Sequence, residues 1–223
     1  MIKAALTREQ KSNVPSADIS LRLDWCSPKA ARYAAEKWHY SGRLPVGKLV
    51  KIGVWENGEF IGCVVFASGA SPSLGSPYGL SQFECCELAR VALKEHHTPV
   101  SRILTIALKM LKQRCQGIKL VVSFADTNHG HHGGIYQASN WIYAGLTNPT
   151  PVYYDEHGKA WHNRLVTQSG MSSNIFGKAK RVKRASDLVK VMTKPKHRYL
   201  MPLDKEVENQ IRLLSKPYPK RVV

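Results

Sequence analysis

Residues 121–145 read VVSFADTNHGHHGGIYQASNWIYAG and predict a strand, a polar turn, a short helix and a second strand. The apolar run from Leu120 predicts a buried strand, and a carboxylate follows where that strand ends. Loops at the carboxyl ends of strands are where α/β proteins hold their binding and catalytic groups. The turn is therefore the first candidate for a functional site. Its titratable groups are Asp126, His129, His131 and His132, and Gly133 and Gly134 follow them.

The segments on either side add further strands and helices. Asn57-Gly58 lies between two β-rich runs and is a strong hairpin signal. Ser27-Pro28 predicts one helix start, and a 3.6-residue apolar stripe after Pro99 predicts the longest helix. The predicted strands cover residues 19–23, 49–55, 60–67, 83–93, 120–122, 141–143, 152–154 and 159–166, and the predicted helices cover 28–37, 99–116 and 135–138.

This order of elements predicts an α+β fold with a mixed, mostly antiparallel sheet flanked by helices. The long helix crosses between two strands, which are then expected to be parallel. The order is similar to that of the GNAT acyltransferases. We predict a flexible arm at residues 1–18, a GNAT-like catalytic domain at 19–168 and a basic C-terminal extension for DNA contact at 169–223. The loop at 68–82, rich in Gly, Ser and Pro, is expected to lie outside the core and to be functional.

The charge of the chain indicates a polyanionic partner. The formal net charge is +17 and the pI is near 9.8, and such an excess attracts nucleic acid first and an anionic membrane surface second. Residues 169–223 hold fourteen Lys and Arg against four Asp and Glu. Their centre predicts phosphate contacts, with a disordered solubilising tail as the alternative. The predicted contacts are Lys178, Lys180, Arg181, Lys183 and Arg184.

The apolar runs and the cysteines predict a soluble, intracellular protein without membrane association. No apolar run approaches the roughly 20 residues of a spanning helix, and the first residues lack an apolar signal core. The five cysteines lie mostly in apolar runs and show no C-x-x-C spacing, which predicts buried free thiols rather than a zinc site. They are Cys26, Cys63, Cys85, Cys86 and Cys115.

The turn before the long helix departs from the GNAT pattern. GNAT proteins carry Gln/Arg-x-x-Gly-x-Gly/Ala there, and the backbone amides of that turn hold the coenzyme A pyrophosphate. Residues 94–102 read KEHHTPVSR, so the glycines are missing and Pro99 removes one amide donor. These residues argue against an ordinary coenzyme A site. Ser101 and Arg102 at the helix start are candidates for holding the anionic part of a cofactor, with a solvated helix position as the alternative for Arg102.

Several short motifs together carry a resemblance to a known family. Residues 38–41 read Trp-His-Tyr-Ser, residues 87–90 read Glu-Leu-Ala-Arg, and Asp126 precedes the Ile-Tyr-Gln-Ala run at 135–138. Residues 194–199 read Lys-Pro-Lys-His-Arg-Tyr. With these motifs the chain resembles the Mom proteins of Mu-like phages over most of its length.

The resemblance implies a GNAT-like enzyme that modifies double-stranded DNA. Mom proteins convert the exocyclic amine of adenine in phage DNA to a methylcarbamoylamino (acetamido) form, which protects that DNA from host restriction. The protein would then act in the cytoplasm of the infected bacterial cell, and a homodimer is one alternative for its assembly. By the resemblance, His39, Tyr40, Asp126 and Tyr136 are catalytic, and Arg90 binds the cofactor.

Adenine chemistry assigns tasks to these side chains. The amine of adenine is a poor nucleophile, and an enzyme must extrude the base from the duplex and hold it by stacking and edge hydrogen bonds. Trp38, Tyr40, Tyr136 and Trp141 are candidate stacking faces, with a core position as the alternative, above all for Trp141. Asp126 can accept the amine proton, hold the base edge or simply cap the following turn. Tyr136 can act as an acid or as a hydrogen-bond donor.

The product leaves the donor unknown. Acyl transfer from acetyl-coenzyme A joins nitrogen to the carbonyl carbon, whereas the family product joins it to the methylene carbon. Either a related donor is used or a methyl group is activated, which usually requires a metal or a radical. His129 and His131 are the candidate metal ligands, and His39, His132 and Asp126 are further candidates. Two histidines and one carboxylate with open positions suit iron. The alternative is that these histidines contact DNA phosphates.

Arg90 can pair a carboxylate or phosphate of a ligand, or form a structural ion pair with Glu84 or Glu87.

Three function classes remain open on the sequence, and a DNA-modifying enzyme is the first. A conventional GNAT acetyltransferase that uses acetyl-coenzyme A is the second function class, although the missing glycines and the charge of +17 argue against it. A DNA-binding protein without enzymatic activity is the third class, and it leaves the polar turn after the buried strand without a role.

Overall fold

The structure is a computed structural model that describes residues 19–69, 71–168, 173–175, 178–180 and 182–220. The predicted N-terminal arm at 1–18 and Arg181 lie outside the described residues, as do the side chains of Lys178 and Lys180. The chain divides into two compact units. The first holds the described residues up to Ser123 together with Ile135–Ile142 and Leu200–Leu214, and the second holds Phe124–Gly134, Tyr143–Tyr199 and the residues from Ser215 onward.

The main sheet has seven strands in the order β1-β2-β3-β4-β5-β14-β6. Its strands β1 to β4 lie in the first unit, and β5, β6 and β14 contribute residues to both units. The strand bounds are β1 Leu21–Trp25, β2 Leu49–Glu56, β3 Glu59–Ala67, β4 Cys85–Leu93, β5 Leu120–Ala125, β6 Ile142–Leu146 and β14 His197–Pro202. The helices are α1 Pro28–Trp38, α2 Val100–Arg114, α3 Gly134–Gln137 and α4 Lys205–Arg212.

Local sequence explains most of the first unit. β2 and β3 form a hairpin whose turn residues Asn57 and Gly58 have φ values of 52° and 81°, the left-handed conformation that Asn-Gly turns supply. α1 begins with Pro28, and the Ser27 side chain accepts a hydrogen bond from the Ala30 amide. The predicted hairpin and both predicted helix starts are confirmed.

Helix α1 covers one face of the sheet. Ala31 and Ala34 of α1 form a buried cluster with Cys63, Val65 and Ala92 of β3 and β4. Because side chains alternate along a strand, the neighbouring residues of β3 point to the opposite face, and they are also buried there. The sheet is therefore covered on both sides in the first unit.

Helix α2 connects two parallel strands, as predicted. Its apolar stripe is buried at Ile103, Leu104, Ala107, Leu108 and Leu111. β4 and β5, on either side of the helix, pair in parallel, whereas β1, β2, β3 and β4 pair antiparallel with one another. The predicted α+β class with a mixed, mostly antiparallel sheet flanked by helices is confirmed.

Three features differ from the sequence expectations: the 68–82 loop, a strand and a helix. The loop at 68–82 was expected outside the core, but Tyr78 and Leu80 are buried, since aromatic and aliphatic side chains bury favourably even in irregular backbone. Strand β14 and helix α4 were not predicted. β14 lies between β5 and β6, so residues beyond 169 contribute a strand to the main sheet.

The second unit also holds small sheets. β7 Pro151–Tyr154 pairs with β8 Ala160–His162 and with β13 Val189–Met192. β9 Val166–Thr167 pairs in parallel with β12 Lys183–Arg184, and β10 Ser173–Ile175 pairs with β11 Lys178–Lys180. The predicted late hairpin is confirmed, with a second strand that is shorter than predicted.

The five cysteines are free thiols; Cys63, Cys85 and Cys86 are buried as expected, whereas Cys26 and Cys115 are only partly buried. Burial raises the pKa of the Cys63 and Cys85 thiols to about 12, so both are protonated and unreactive at neutral pH. Across the described ranges, no helix combines the length and apolarity that a membrane span requires.

Candidate functional site

The polar turn after β5 is built around Asp126. Its side chain caps a 3-10 turn: Oδ1 accepts hydrogen bonds from the backbone amide and the side-chain amide of Asn128, both at 3.0 Å. Its Oδ2 lies 2.8 Å from the ammonium of Lys196. The capping alternative is therefore realised, and an ion pair accompanies it.

Lys196 is held in place by its backbone. The Lys196 amide donates to Oγ1 of Thr147 at 3.0 Å, and its carbonyl accepts from the Thr147 amide at 2.8 Å. The preceding carbonyl, of Pro195, accepts a hydrogen bond of 2.6 Å from Oγ1 of Thr127, the residue after Asp126. Hydrogen bonds therefore hold the residues next to Asp126 and next to Lys196 in place, in addition to the ion pair itself.

These contacts keep Asp126 ionised. Burial by itself would raise the pKa of the carboxyl group, but the hydrogen bond from Lys196 and those from Asn128 outweigh it, and the pKa lies below its ordinary value. A carboxylate has about four lone-pair positions, and three donor groups occupy them among the described residues. One acceptor position on Oδ2 is left for a ligand, so Asp126 is better suited to accepting a hydrogen bond than to acting as a strong base.

The neighbouring histidines do not assemble the predicted iron ligands. The rings of His129 and His131 meet edge to face with centroids 6.2 Å apart. Among the residues that the structure describes, no three His, Cys, Asp or Glu side chains are grouped as a metal site would require. The described residues therefore do not fit the set of two histidines and one carboxylate, and no step below uses a metal.

The glycine pair has a different role from the predicted one. Gly133-Gly134 was expected to let a base or donor approach the sheet. Instead, a Cβ at Gly133, whose φ is 85°, would lie 2.2 Å from the ring of Tyr199. The Tyr199 hydroxyl donates a 2.5 Å hydrogen bond to the carbonyl of His132. The close approach at Gly133 is thus used by a fully buried side chain of the protein itself.

Aromatic and imidazole rings surround Tyr199. Tyr143 lies with its ring centroid 5.2 Å from that of Tyr199, and its hydroxyl lies 2.9 Å from Nδ1 of His197. Burial, with a contribution from His132, lowers the pKa of His197. His197 is therefore neutral at physiological pH and able to form this hydrogen bond as donor or acceptor.

In the first unit, His39 and Tyr40 form an aromatic pair at the end of α1. Their ring centroids are 4.3 Å apart, and Tyr40 is half exposed. Nδ1 of His39 accepts from the Ser41 amide at 3.1 Å. Because an amide can only donate, this contact favours the neutral tautomer of His39 with its proton on Nε2.

Of the other proposed stacking faces, Tyr136 and Trp141 are buried and Trp38 is partly buried. Trp141 is fully buried, and the Tyr136 ring lies 5.2 Å from it, so the core alternative holds for Trp141. Trp38 packs against Tyr33 and Phe60 at 5.4 and 6.0 Å. Tyr40 is the candidate that keeps an open aromatic face.

Arg90 anchors the loop that follows His39 and Tyr40. Its Nε donates to the carbonyl of Arg43 at 3.1 Å, and its Nη1 donates to the carbonyl of Ala89 at 2.5 Å. Burial lowers the pKa of Arg90, Tyr40 and Glu87 oppose that effect, and Arg43 adds to it. Arg90 is therefore a half-buried cation close to Tyr40, held mainly by backbone carbonyls.

Tyr136 is bound to the inside of the sheet. Its hydroxyl lies 2.8 Å from Oγ of Ser123, which also lies 2.8 Å from the carbonyl of Leu88. Ser123 has a single hydroxyl proton, and the carbonyl can only accept it. That proton is directed at the Leu88 carbonyl or at the Tyr136 hydroxyl, so the Tyr136 hydroxyl lies inside a buried group of hydrogen bonds.

An internal carboxylate occupies the amides before α2. Glu56, at the end of β2, is buried. It accepts hydrogen bonds from the Thr98 amide at 2.7 Å, the Thr98 hydroxyl at 2.6 Å and the His97 amide at 3.0 Å. These amides belong to the turn before α2, which the order of elements matched to the pyrophosphate turn of GNAT enzymes. Ser101 and Arg102 follow in the first turn of α2, and Arg102 is exposed.

Glu56→Gln is expected to lower the free energy of unfolding by about 2 kcal/mol, since hydrogen bonds to a charged group contribute about 1.5–3 kcal/mol. The pKa of Glu56 is lowered because the Thr98 and His97 hydrogen bonds outweigh burial. Its stabilising effect is therefore present above the unfolded pKa of about 4.3 and is lost as the pH falls through the folded pKa. Urea unfolding at pH 7 and at pH 3 measures this.

Glu59→Gln is the matched control for that experiment. Glu59 lies on the same hairpin and pairs with Lys94, but its side chain is largely exposed, so a loss of less than about 0.5 kcal/mol is expected. Equal losses for Glu56→Gln and Glu59→Gln would contradict the role given to Glu56.

Two of the predicted phosphate contacts are described in full. Lys183 lies with its ammonium 5.5 Å from the ring centroid of Trp161, and Arg184 is exposed beside it on β12. Lys178 and Lys180 are placed on β11 by their backbone alone. Their role in DNA contact stays a prediction.

The structure brings some of the predicted site residues together and shows contacts that the sequence did not predict. His39, Tyr40 and Arg90 lie close together in the first unit. The sequence did not predict that Lys196 pairs with Asp126 or that Ser123 bonds to Tyr136. It also did not predict that Glu56 binds the amides before α2. Ser123 is a polar residue inside an apolar strand, which is a usable signal, and Lys196 lies in the 194–199 stretch. Glu56 gives no signal, since acidic residues are common before turns.

The sequence model of the Mom protein family matches residues 20–220. The chain belongs to the Mom protein family. This confirms the resemblance drawn from the motifs. A curated member, the methylcarbamoylase mom of Escherichia phage Mu, is 25% identical over 207 residues, which are 90% of this chain and 84% of that protein.

Solved structures give a looser similarity to this Mom family chain. The IAA acetyltransferase from Bacillus cereus is 13% identical with a TM-score of 0.42, over 82% of this chain and 100% of that one. A GNAT family acetyltransferase from Elizabethkingia anophelis with acetyl-CoA bound is 12% identical with a TM-score of 0.37, over 84% and 99%. Similarity at this level carries no argument about function.

Proposed function

We propose that this protein is a DNA-modifying transferase that converts adenine in double-stranded DNA to its methylcarbamoylamino (acetamido) form. Membership of the Mom family and the similarity to the methylcarbamoylase mom of phage Mu support a modification enzyme. The net charge of +17 supports a polyanionic substrate. Protection of phage DNA from restriction in the cytoplasm of the host cell is part of the same proposal.

The observation that carries the proposal is the state of Asp126. The carboxylate is ionised, fixed by Asn128 and Lys196, and has one acceptor position left. The exocyclic amine of adenine presents N–H donors and loses one proton when a new N–C bond forms. Asp126 would hold this amine by a hydrogen bond that strengthens as positive charge develops on nitrogen, because a fixed anion stabilises that charge.

Within the first unit, Tyr40 is the proposed stacking surface for an extruded base. A base outside the duplex is held by stacking and by hydrogen bonds to its edge, and Tyr40 is half exposed beside the ring of His39. His39, in the tautomer with Nε2 protonated, is a donor suited to a ring nitrogen of adenine. Arg90 holds the loop that follows Tyr40 through the carbonyl of Arg43. Its positive charge suits the anionic part of the donor.

The donor is expected to differ from an ordinary acetyl-coenzyme A. The methylene carbon, not a carbonyl carbon, is joined to nitrogen in the proposed product. The amides before α2 are used by Glu56, which disfavours a pyrophosphate there. Ser101 and Arg102 remain the proposed contacts for an anionic donor, and Lys183 and Arg184, with the basic run before them, remain the proposed contacts for DNA phosphates.

Nucleoside mass spectrometry tests this function. DNA from cells that express the full chain is digested and compared with DNA from cells that carry the empty vector. A modified adenosine with the mass of the acetamido derivative is expected only with the protein. Unmodified DNA, together with stoichiometric binding of acetyl-coenzyme A, would support a conventional acetyltransferase instead. Unmodified DNA with tight DNA binding would support a non-enzymatic DNA-binding protein.

A further inference from the structure

We propose that a basic cavity beside α1 in the first unit binds one backbone phosphate of the DNA strand that carries the target adenine. This inference rests on the proposed function, since it takes the substrate to be DNA. None of the DNA contacts predicted from the sequence lies in this cavity, because those contacts all lie between residues 178 and 184.

The cavity lies between α1, from Pro28 to Glu36, and the chain from Arg43 to Lys51. Its volume is about 480 Å³, which is within the range of roughly 300–1,000 Å³ typical of ligand sites. Two prolines and two leucines contribute to its lining, and the cationic lining residues are Arg32, Arg43 and Lys51. The site thus combines a shaped, partly apolar recess with three positive charges.

The charge in this cavity is not balanced by the protein. Glu36 is the acidic residue among its lining residues. In the described part of the chain, Arg32, Arg43 and Lys51 form no ion pair with a carboxylate. Like charges held close together repel, and a bound anion removes that repulsion. Arginine presents a planar set of donors that matches phosphate oxygens, so a phosphate ester is the ligand that these groups fit.

The position of the cavity indicates a DNA phosphate rather than a free one. Arg43 is three residues after Tyr40, so their Cα atoms are at most about 11 Å apart. The Gly42 amide bonds to the carbonyl of His39 at 2.9 Å, and Arg90 bonds to the carbonyl of Arg43 at 3.1 Å. The backbone that carries Tyr40 and the backbone that carries Arg43 are therefore held close together. A base stacked on Tyr40 and a phosphate bound in the cavity would then belong to the same stretch of one DNA strand.

DNA-binding measurements on charge variants of the full chain test the site. The triple variant Arg32→Gln, Arg43→Gln, Lys51→Gln is compared with Lys109→Gln, Lys112→Gln, Arg114→Gln, which removes the same charge from exposed positions of α2. Fluorescence anisotropy with a short adenine-containing duplex is recorded over a series of salt concentrations. The cavity variant is expected to bind about tenfold more weakly and to lower the salt slope by roughly 0.9 for the phosphate lost.

The control variant is expected to change affinity by less than about twofold, since removing solvated charges away from a contact affects only the long-range attraction. Equal losses in both triple variants would overturn the proposal, because the cavity would then act only through net charge. Arg32→Gln alone, at an exposed helix position, should shift affinity in the same direction if the triple variant folds poorly. Circular dichroism checks the fold of each variant.

Two further outcomes separate this proposal from the proposed function. Coenzyme A or a nucleotide that binds the wild type but not the cavity variant, with DNA affinity unchanged, would overturn the DNA phosphate in favour of a small ligand. Cavity-dependent DNA binding without any modified adenosine would leave the phosphate site standing and remove the proposed function. Modified adenosine, together with DNA binding that does not depend on the cavity residues, would overturn the phosphate site and leave the proposed function standing.

Discussion

Replacement of Asp126 by asparagine is expected to reduce the yield of modified adenosine by about 100-fold or more, within the range of roughly 10²–10³ that loss of one fixed stabilising group costs at a reacting centre. Asparagine keeps the size of the side chain and its ability to cap the turn. It loses the negative charge that pairs with Lys196 and that would stabilise the amine as the new bond forms. Nucleoside mass spectrometry of DNA from cells with matched expression measures the effect.

Asp204→Asn is the matched control for this substitution. Asp204 caps α4 by accepting from the amides of Glu206 and Val207, and asparagine caps a helix about as well as aspartate. Modified adenosine should stay at the wild-type level with Asp204→Asn. A yield near wild type with Asp126→Asn, in protein that unfolds at the same urea concentration, would exclude Asp126 from the chemistry.

Gly133→Ala is expected to lower the free energy of unfolding by about 3 kcal/mol or more. A residue with a side chain pays about 1–2 kcal/mol in the left-handed conformation, and forcing extra volume into a packed site costs about 1–3 kcal/mol. Both terms apply, since φ is 85° and the new Cβ would lie 2.2 Å from the Tyr199 ring. Urea denaturation followed by circular dichroism measures the change.

Gly130→Ala separates the two terms. Gly130 has a φ of 68° in the same turn, but no atom lies within 4 Å of a Cβ placed there. Only the conformational term applies, so a loss of about 1–2 kcal/mol is expected. If both alanine substitutions cost the same, the Tyr199 ring does not limit the space at Gly133.

Much of the first unit could be predicted because its signals are local. The alternation of β2 and β3, the Asn-Gly turn, the Ser-Pro start of α1 and the stripe of α2 each lie within one element. The parallel pairing of β4 and β5 followed from the helix between them. β14 gave no such signal, because its basic and aromatic residues do not alternate and its position depends on pairing with strands far away in the sequence.

The residues of the candidate site were proposed from the sequence, and their roles stay predictions, whereas their contacts could not be proposed from it. The motifs at His39, Tyr40, Arg90, Asp126 and Tyr136 were found through the resemblance. Partners such as Lys196 and Ser123 meet them through the folded chain, and no local pattern announces such pairs. The sequence predicted that another group would approach the backbone closely at Gly133. The group that does so is the Tyr199 ring, which depends on the position of β14.

The place of β14 in the main sheet has a consequence for synthesis of the protein on the ribosome. β14 is the neighbour of both β5 and β6, and among the strands that the structure describes β6 has no other neighbour in that sheet. A nascent chain that ends before residue 197 therefore exposes the edge of β5 and leaves β6 unpaired. Unpaired edges invite association with other chains. The sheet can close only late in translation, and incomplete chains are the species most exposed to aggregation and to cellular proteases.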